Sequence, residues 1–242
     1  KQITQASVDK AIKKTPNACA IVITSPTYEG YVSNITCPIP LIIDAAHGAH
    51  FGFSSYLPKQ PKADIVIESL HKTLPALTQS AVIHIDNPSL YGKVKKYMDI
   101  YETSSPSYVI MASIDKCIDF LSNSKSDFEK YKILLDDFYN KANNLKNINV
   151  LKNDDITRIV LSVYGYSGFE LSNHLRKYGI EAEGDSLKYL ILISTVCDTK
   201  SGFEKLINAL SSFENRKAKK IEFKKPSLPI KKCDIFEIEN TT

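Results

Sequence analysis

The sequence lacks several features that would point directly to a function class. It has no C-x-x-C pair. Its five cysteines, Cys19, Cys37, Cys117, Cys197 and Cys233, are odd in number and widely spaced. This argues against a disulfide framework or a cysteine-based zinc site and fits a reducing cytosol. No apolar run is long enough to span a bilayer and no secretory signal pattern occurs, so a cytoplasmic protein with no membrane partner is expected. Asp44-Ala-Ala-His47 has the outline of a helicase D-E-A-H box, but the G-x-x-x-x-G-K-[ST] loop that such chemistry also needs is absent. No segment repeats. The charge is only mildly one-signed, at +4, and much of the excess sits in Arg216, Lys217, Lys219, Lys220, Lys224 and Lys225. A run of this kind reads as a solvated face, and no nucleic-acid partner is expected.

The composition of the 242 residues is that of a globular chain, with 43% apolar and 24% charged residues, enough for one large domain or two modest ones. Four short runs, 20–23, 41–43, 65–67 and 81–85, are rich in Ile and Val and too short for helices. They predict strands buried on both faces, as in a mostly parallel sheet. Residues 8–14 predict a short amphipathic helix before the first run. After Ser105-Pro106 the period changes. Helices are expected over 108–121 and 126–145, the second with Phe128, Tyr131, Leu134, Leu135 and Phe138 on one face. Strands are expected at 148–151, 158–164 and 189–194. A further helix is expected over 168–178, ended by Gly179. The expected organisation is α/β: a large-domain portion over residues 1–122, then a smaller α+β domain over 123–242 with a polar tail after Ser211.

Ligands of open α/β sheets bind beyond the carboxyl ends of the strands. There the first run leads into Thr24-Ser-Pro-Thr-Tyr28, the second into Asp44-Ala-Ala-His47, and the third into Glu68-Ser-Leu-His-Lys72. A carboxylate can hold a pyridinium nitrogen in its protonated state. A partly buried lysine can act as a nucleophile towards an aldehyde. An Asp strand end followed by a Ser-x-His-Lys strand end is what a pyridoxal-phosphate (PLP) enzyme of the aspartate-aminotransferase type requires. Taken singly, an Asp at a strand end is an ordinary turn cap, and a Lys beside a His an ordinary surface residue. His50 and His84 read as core or loop residues. His47, His50, His71 and Asp44 do not specify a matched metal geometry, so no metal is expected.

Four longer strings occur in order: Ser25-Pro-Thr-Tyr-Glu-Gly30, Asp44-Ala-Ala-His-Gly-Ala-His-Phe-Gly-Phe53, Ala63-Asp-Ile-Val-Ile-Glu-Ser-Leu-His-Lys-Thr-Leu-Pro-Ala-Leu-Thr-Gln79 and Thr103-Ser-Ser-Pro-Ser-Tyr-Val-Ile-Met-Ala-Ser-Ile-Asp115. Together they resemble successive signatures of the ornithine/lysine/arginine decarboxylases. Weaker likeness continues at Asp155-Ile-Thr-Arg158, Tyr166-Ser-Gly168 and Gly179-Ile-Glu-Ala-Glu183.

The resemblance implies PLP fold type I and a carboxy-lyase acting on a basic amino acid, a chemistry belonging to polyamine biosynthesis. By the same resemblance, Lys72 is the Schiff-base lysine, Asp44 pairs with the pyridine nitrogen, Ala46 packs under the ring and His47 lies near the phenolic oxygen. Ser69 and His71 face the phosphate. Thr103 and Ser104 reach the phosphate of a neighbouring subunit, which implies a homodimer or higher homo-oligomer. Glu183 contacts the distal cation of the substrate. The likeness also has gaps. An N-terminal phosphate loop and a ring-stacking histidine are missing, the family continues beyond Thr242, and no crossover helix fits between Ile35 and Pro40. A chain truncated at both ends is therefore expected. The rival expectation is a catalytically inactive fragment or paralogue serving as a fold or dimerisation module.

Overall fold

The computed structural model describes residues 2–214, 216 and 217. Most of the basic run, the polar tail with Pro226 and Pro229, and Cys233 lie outside the described residues.

The first helix, α1 (Gln5–Lys14), starts earlier than its apolar pattern predicts because Thr4 and Ser7 form a reciprocal capping box. Three strands follow: β1 (Ile21–Thr24), β2 (Leu41–Asp44) and β3 (Ile65–Ser69). They lie side by side and parallel, with Ile21 opposite Leu41 and Ile42 opposite Ile65. The 25–40 connection between the parallel β1 and β2 contains no helix, as the short spacing implies. A single helical turn, α2 (Leu70–Thr73), leaves β3, and β4 (Ala81–Ile85) returns antiparallel to it. The sheet order is β1-β2-β3-β4.

One expectation about these strands is corrected. They are not buried on both faces. Ile23, Leu41, Ile43 and Val66 pack inward with Val8 of α1. On the opposite face Val22 is 67% exposed and Ile67 37% exposed. That face lines a groove with α3 (Pro88–Tyr101), a helix with no buried residue. A reading by short apolar runs missed α3, because its stripe of Leu90, Val94, Tyr97, Met98 and Tyr101 is interleaved with lysines. Its start is nonetheless marked, by Asn87 as N-cap and Pro88 in the first turn.

Helix α4 (Tyr108–Asn123) leads into α5 (Lys125–Asn143). In α5, Phe128, Tyr131, Leu135, Phe138 and Ala142 are buried at alternating spacings of three and four, the stripe that a core-facing helix requires. The stripe packs on a second sheet, β5 (Ile148–Leu151), β6 (Arg158–Val163), β8 (Leu190–Ile193) and the two-residue β7 (Gly184–Asp185), ordered β5-β6-β8-β7 with every pair antiparallel. Helix α6 (Gly168–Arg176) begins at a Ser167–Glu170 capping box. After it, Gly179 takes φ +64°, the left-handed conformation expected of a glycine closing a helix. Helix α7 (Lys200–Ser211), which the sequence reading did not identify, completes this core with Phe203, Leu206, Ala209 and Leu210.

Candidate active site

The carboxyl ends of β1, β2 and β3 lie together, because parallel register aligns Thr24 with Asp44 and Asp44 with Ile67. Asp44 is half-buried, and its Oδ1 accepts a hydrogen bond from the Ala46 amide at 3.0 Å. It therefore caps the turn that delivers His47. Lys72 is not at a strand end as expected but one step further on, in the α2 turn. Its Nζ stands 3.4 Å from His47 Nε2, and among the described residues it forms no ion pair with a carboxylate. Tyr28, from the loop after β1, packs its ring 4.6 Å from the His47 ring.

The placement of the remaining predicted residues is mixed. Ser69 is the N-cap residue of α2 but makes no side-chain capping bond. His71 donates from Nδ1 to the Ser80 carbonyl at 2.8 Å. Thr103 and Ser104 lie in the exposed link between α3 and α4, where Thr103 Oγ1 accepts from the Ser105 amide. Neither residue bonds to the Lys72 group among the described residues. Glu183 is exposed, and its charge acts on Arg158. His84 pairs with buried Glu68, whose carboxyl is pushed up by burial.

Sequence reading quoted Asp155-Ile-Thr-Arg158 as a family likeness but gave these residues no place in the site, and they lie behind His47. Arg158, fully buried at the start of β6, places Nη2 2.9 Å from His47 Nδ1 and 3.1 Å from the His47 carbonyl oxygen. Asp155, also fully buried, stands 3.8 Å from Arg158 Nε. Its Oδ1 accepts from the Thr157 amide at 3.0 Å and the Thr157 hydroxyl at 2.7 Å, and His50 Nε2 lies 3.2 Å away. Burial works against ionisation of Asp155, but His50, Thr157 and Arg158 outweigh it and hold the carboxyl below the usual carboxylate range. For His47, burial first and then the Arg158 charge push the pKa down to about 3. The sequence signal for this group was the string Asp155-Ile-Thr-Arg158, two ionisable residues at the entry to an apolar strand.

The same seam fixes the loop after β1. The Gly30 carbonyl accepts from the amides of Asp154 and Asp155 at 3.1 and 3.0 Å. Gly30 has φ +85°, and a Cβ on it would lie 2.9 Å from Arg158 Cβ. Only glycine allows the two loops to approach this closely.

The model of the family described as "Orn/Lys/Arg decarboxylase, major domain" matches residues 1–161. The chain belongs to the Orn/Lys/Arg decarboxylase family. It is 29% identical to arginine decarboxylase of Bacillus anthracis, over 94% of this chain and 53% of that protein. The constitutive lysine decarboxylase of E. coli superimposes with a TM-score of 0.70 at 19% identity, covering 86% of this chain and 39% of that one. SPT, solved with its PLP internal aldimine, superimposes at 0.65 with 11% identity, over 86% and 58% of the two chains. The fold is thus PLP fold type I, with the mostly parallel sheet seen here. The chain spans about half the length of the curated arginine decarboxylases it matches. Among the described residues no group of three or more His, Cys, Asp or Glu could hold a metal ion, and no helix is long and apolar enough to cross a membrane.

Proposed function

We propose that this chain carries the lysine-bearing part of a PLP site that decarboxylates arginine, lysine or ornithine. The observation that carries the proposal is the Lys72 amine, without a carboxylate partner among the described residues, 3.4 Å from a neutral imidazole and beside the Asp44 strand end. This donor set fits PLP. Lys72 would hold the aldehyde carbon, Asp44 the pyridine nitrogen, His47 the phenolic oxygen, and Ser69 and His71 the phosphate, with Ala46 leaving room beneath the ring. When bound, the cofactor supplies an electron sink for the charge left at Cα as carbon dioxide departs. The protein's part is to orient and to place charge. Asp44 keeps a proton on the ring nitrogen, and His47 donates from Nε2. Glu183 serves the distal cation of the substrate.

We place the boundary between the large-domain portion and the smaller domain at residues 122 and 123, in the last turn of α4 just before α5 begins. Leu121 packs against the hydrophobic clusters on both sides of it. A homodimer would bring Thr103 and Ser104 of a second copy to the phosphate. A second reading, a catalytically inactive fragment or paralogue, draws support from the sparse phosphate contacts. With Nδ1–H committed to the Ser80 carbonyl, His71 donates to a phosphate only as the imidazolium.

The test is borohydride reduction at saturating PLP followed by peptide mapping, with carbon dioxide release measured for the three amino acids. Label on Lys72 with release supports decarboxylation. Label on Lys72 without release supports the inactive reading. Label on another lysine, or none, overturns the PLP site. In an active preparation, Asp44→Asn should keep much of the label and lose most of the turnover, because the nitrogen proton matters most when charge develops.

A further inference from the structure

We infer that Arg158 is a positioning residue that holds His47 as the neutral tautomer with its single proton on Nε2, facing Lys72. The inference rests on hydrogen-bond chemistry. A guanidinium has donors only and stays protonated in proteins. Arg158 Nη2 carries two hydrogens and has two acceptors within reach, His47 Nδ1 at 2.9 Å and the His47 carbonyl oxygen at 3.1 Å. The first contact is a hydrogen bond only if Nδ1 presents its lone pair. An imidazolium would instead turn an N–H towards the guanidinium, so the neutral form is the one that fits, and its proton must be on Nε2.

Among the described residues, four ionisable groups act on the ring. Arg158 comes from β6, Lys72 from α2, His50 from the loop after β2, and Asp155 from the loop before β6. Of these, Asp155 alone favours the protonated ring. It is already taken up by His50 at 3.2 Å and by Thr157 at 2.7 Å, with Arg158 Nε at 3.8 Å. The Tyr28 ring covers the imidazole at 4.6 Å.

The consequence for the site rests on the PLP reading. A neutral imidazole has one lone pair to offer, and Arg158 at 2.9 Å takes it in preference to Lys72 Nζ at 3.4 Å. Nε2–H is therefore a donor towards the space at Lys72 and meets that amine as a hydrogen-bond partner only through the amine's own lone pair. This donor can serve a neutral amine or a phenolic oxygen, and it does not change with pH in the physiological range. Arg158 reaches His47 from the second sheet, so the donor is set by residues far along the chain from the Lys72 segment.

The test needs no cofactor. Long-range 15N–1H spectra of the imidazoles are recorded on the full chain without PLP, from about pH 5 to about pH 8. His47 should show the Nε2–H tautomer throughout and no titration. In spectra extended below about pH 5, Arg158→Met should raise the titration midpoint by about one unit, since burial, the larger cause, remains. Arg158→Lys should give an intermediate rise, because a point charge replaces the planar donor fork. If Arg158→Met does not fold, the wild-type tautomer still decides. An Nδ1–H tautomer, or a wild-type midpoint above about pH 6, overturns the inference. Loss of PLP labelling with the Nε2–H tautomer intact would instead count against the PLP reading alone.

Discussion

At the scale of single residues, His47 makes the protein's stability depend on pH. Its folded-state pKa is depressed to about 3 from an ordinary value of 6.5, by burial first and by Arg158 second. Between those values the unfolded chain binds a proton that the folded chain does not. The stability contribution is therefore complete above about pH 6.5 and falls as pH drops towards 3, by at most about 1.4 kcal/mol per pH unit. Urea unfolding at about pH 7 and about pH 5.5 should show a loss of about 1.3 kcal/mol that His47→Gln removes. Equal pH dependence in both proteins would refute the assignment. Asp44 illustrates a different point. It is an ordinary turn cap, bonded to the Ala46 amide, and at the same time a candidate for the ring nitrogen. The capping bond uses Oδ1, and among the described residues the other oxygen has no hydrogen-bond partner, which leaves it for that role.

At the scale of elements, the informative feature is the seam between the loop after β1 and the loop before β6. Asn153 donates to the carbonyls of Glu29 and Arg158, both at 2.7 Å, and Tyr189 donates to Glu29 Oε1 at 2.7 Å. Gly30 sits at the centre of this seam. Gly30→Ala would combine positive-φ strain with contacts of 2.8 Å to Asn153 Nδ2 and 2.9 Å to Arg158 Cβ. We expect a destabilisation of about 2 kcal/mol or more, read from the urea midpoint at constant m-value. A change within about 0.5 kcal/mol would mean that the loops are not held in this register.

At the scale of the whole molecule, the first sheet is asymmetric. Its inner face is packed, while the outer face presents Val22 and Ile67, with Tyr91, Tyr97, Ile100 and Tyr101 of α3 also exposed. Apolar exposure on this scale drives association. The 242-residue chain should show an apparent mass that rises with concentration in light scattering coupled to size exclusion. Charged substitutions at Val22 and Tyr97 should lower it. A concentration-independent monomer would show that the face is tolerated in water.

The chain's local sequence determined much of this. The Ile- and Val-rich runs could only be short strands, the three-and-four stripe of α5 could only be a core-facing helix, and Gly179 could only end α6. The four ordered strings carried the family and placed Lys72, Asp44 and His47 in one neighbourhood, because parallel strands bring their carboxyl ends together. Other features depended on residues distant in sequence. Whether both sheet faces are buried depends on what packs against them, which strand composition does not encode. Helices α3 and α7 do carry apolar residues at helical spacing, Leu90, Val94, Tyr97, Met98 and Tyr101 in one and Phe203, Leu206, Ile207 and Leu210 in the other, and a reading by short apolar runs passed over them. The protonation state of His47 is decided by Arg158, more than a hundred positions away, and only the packing of β6 against the turn after β2 brings that guanidinium to the imidazole.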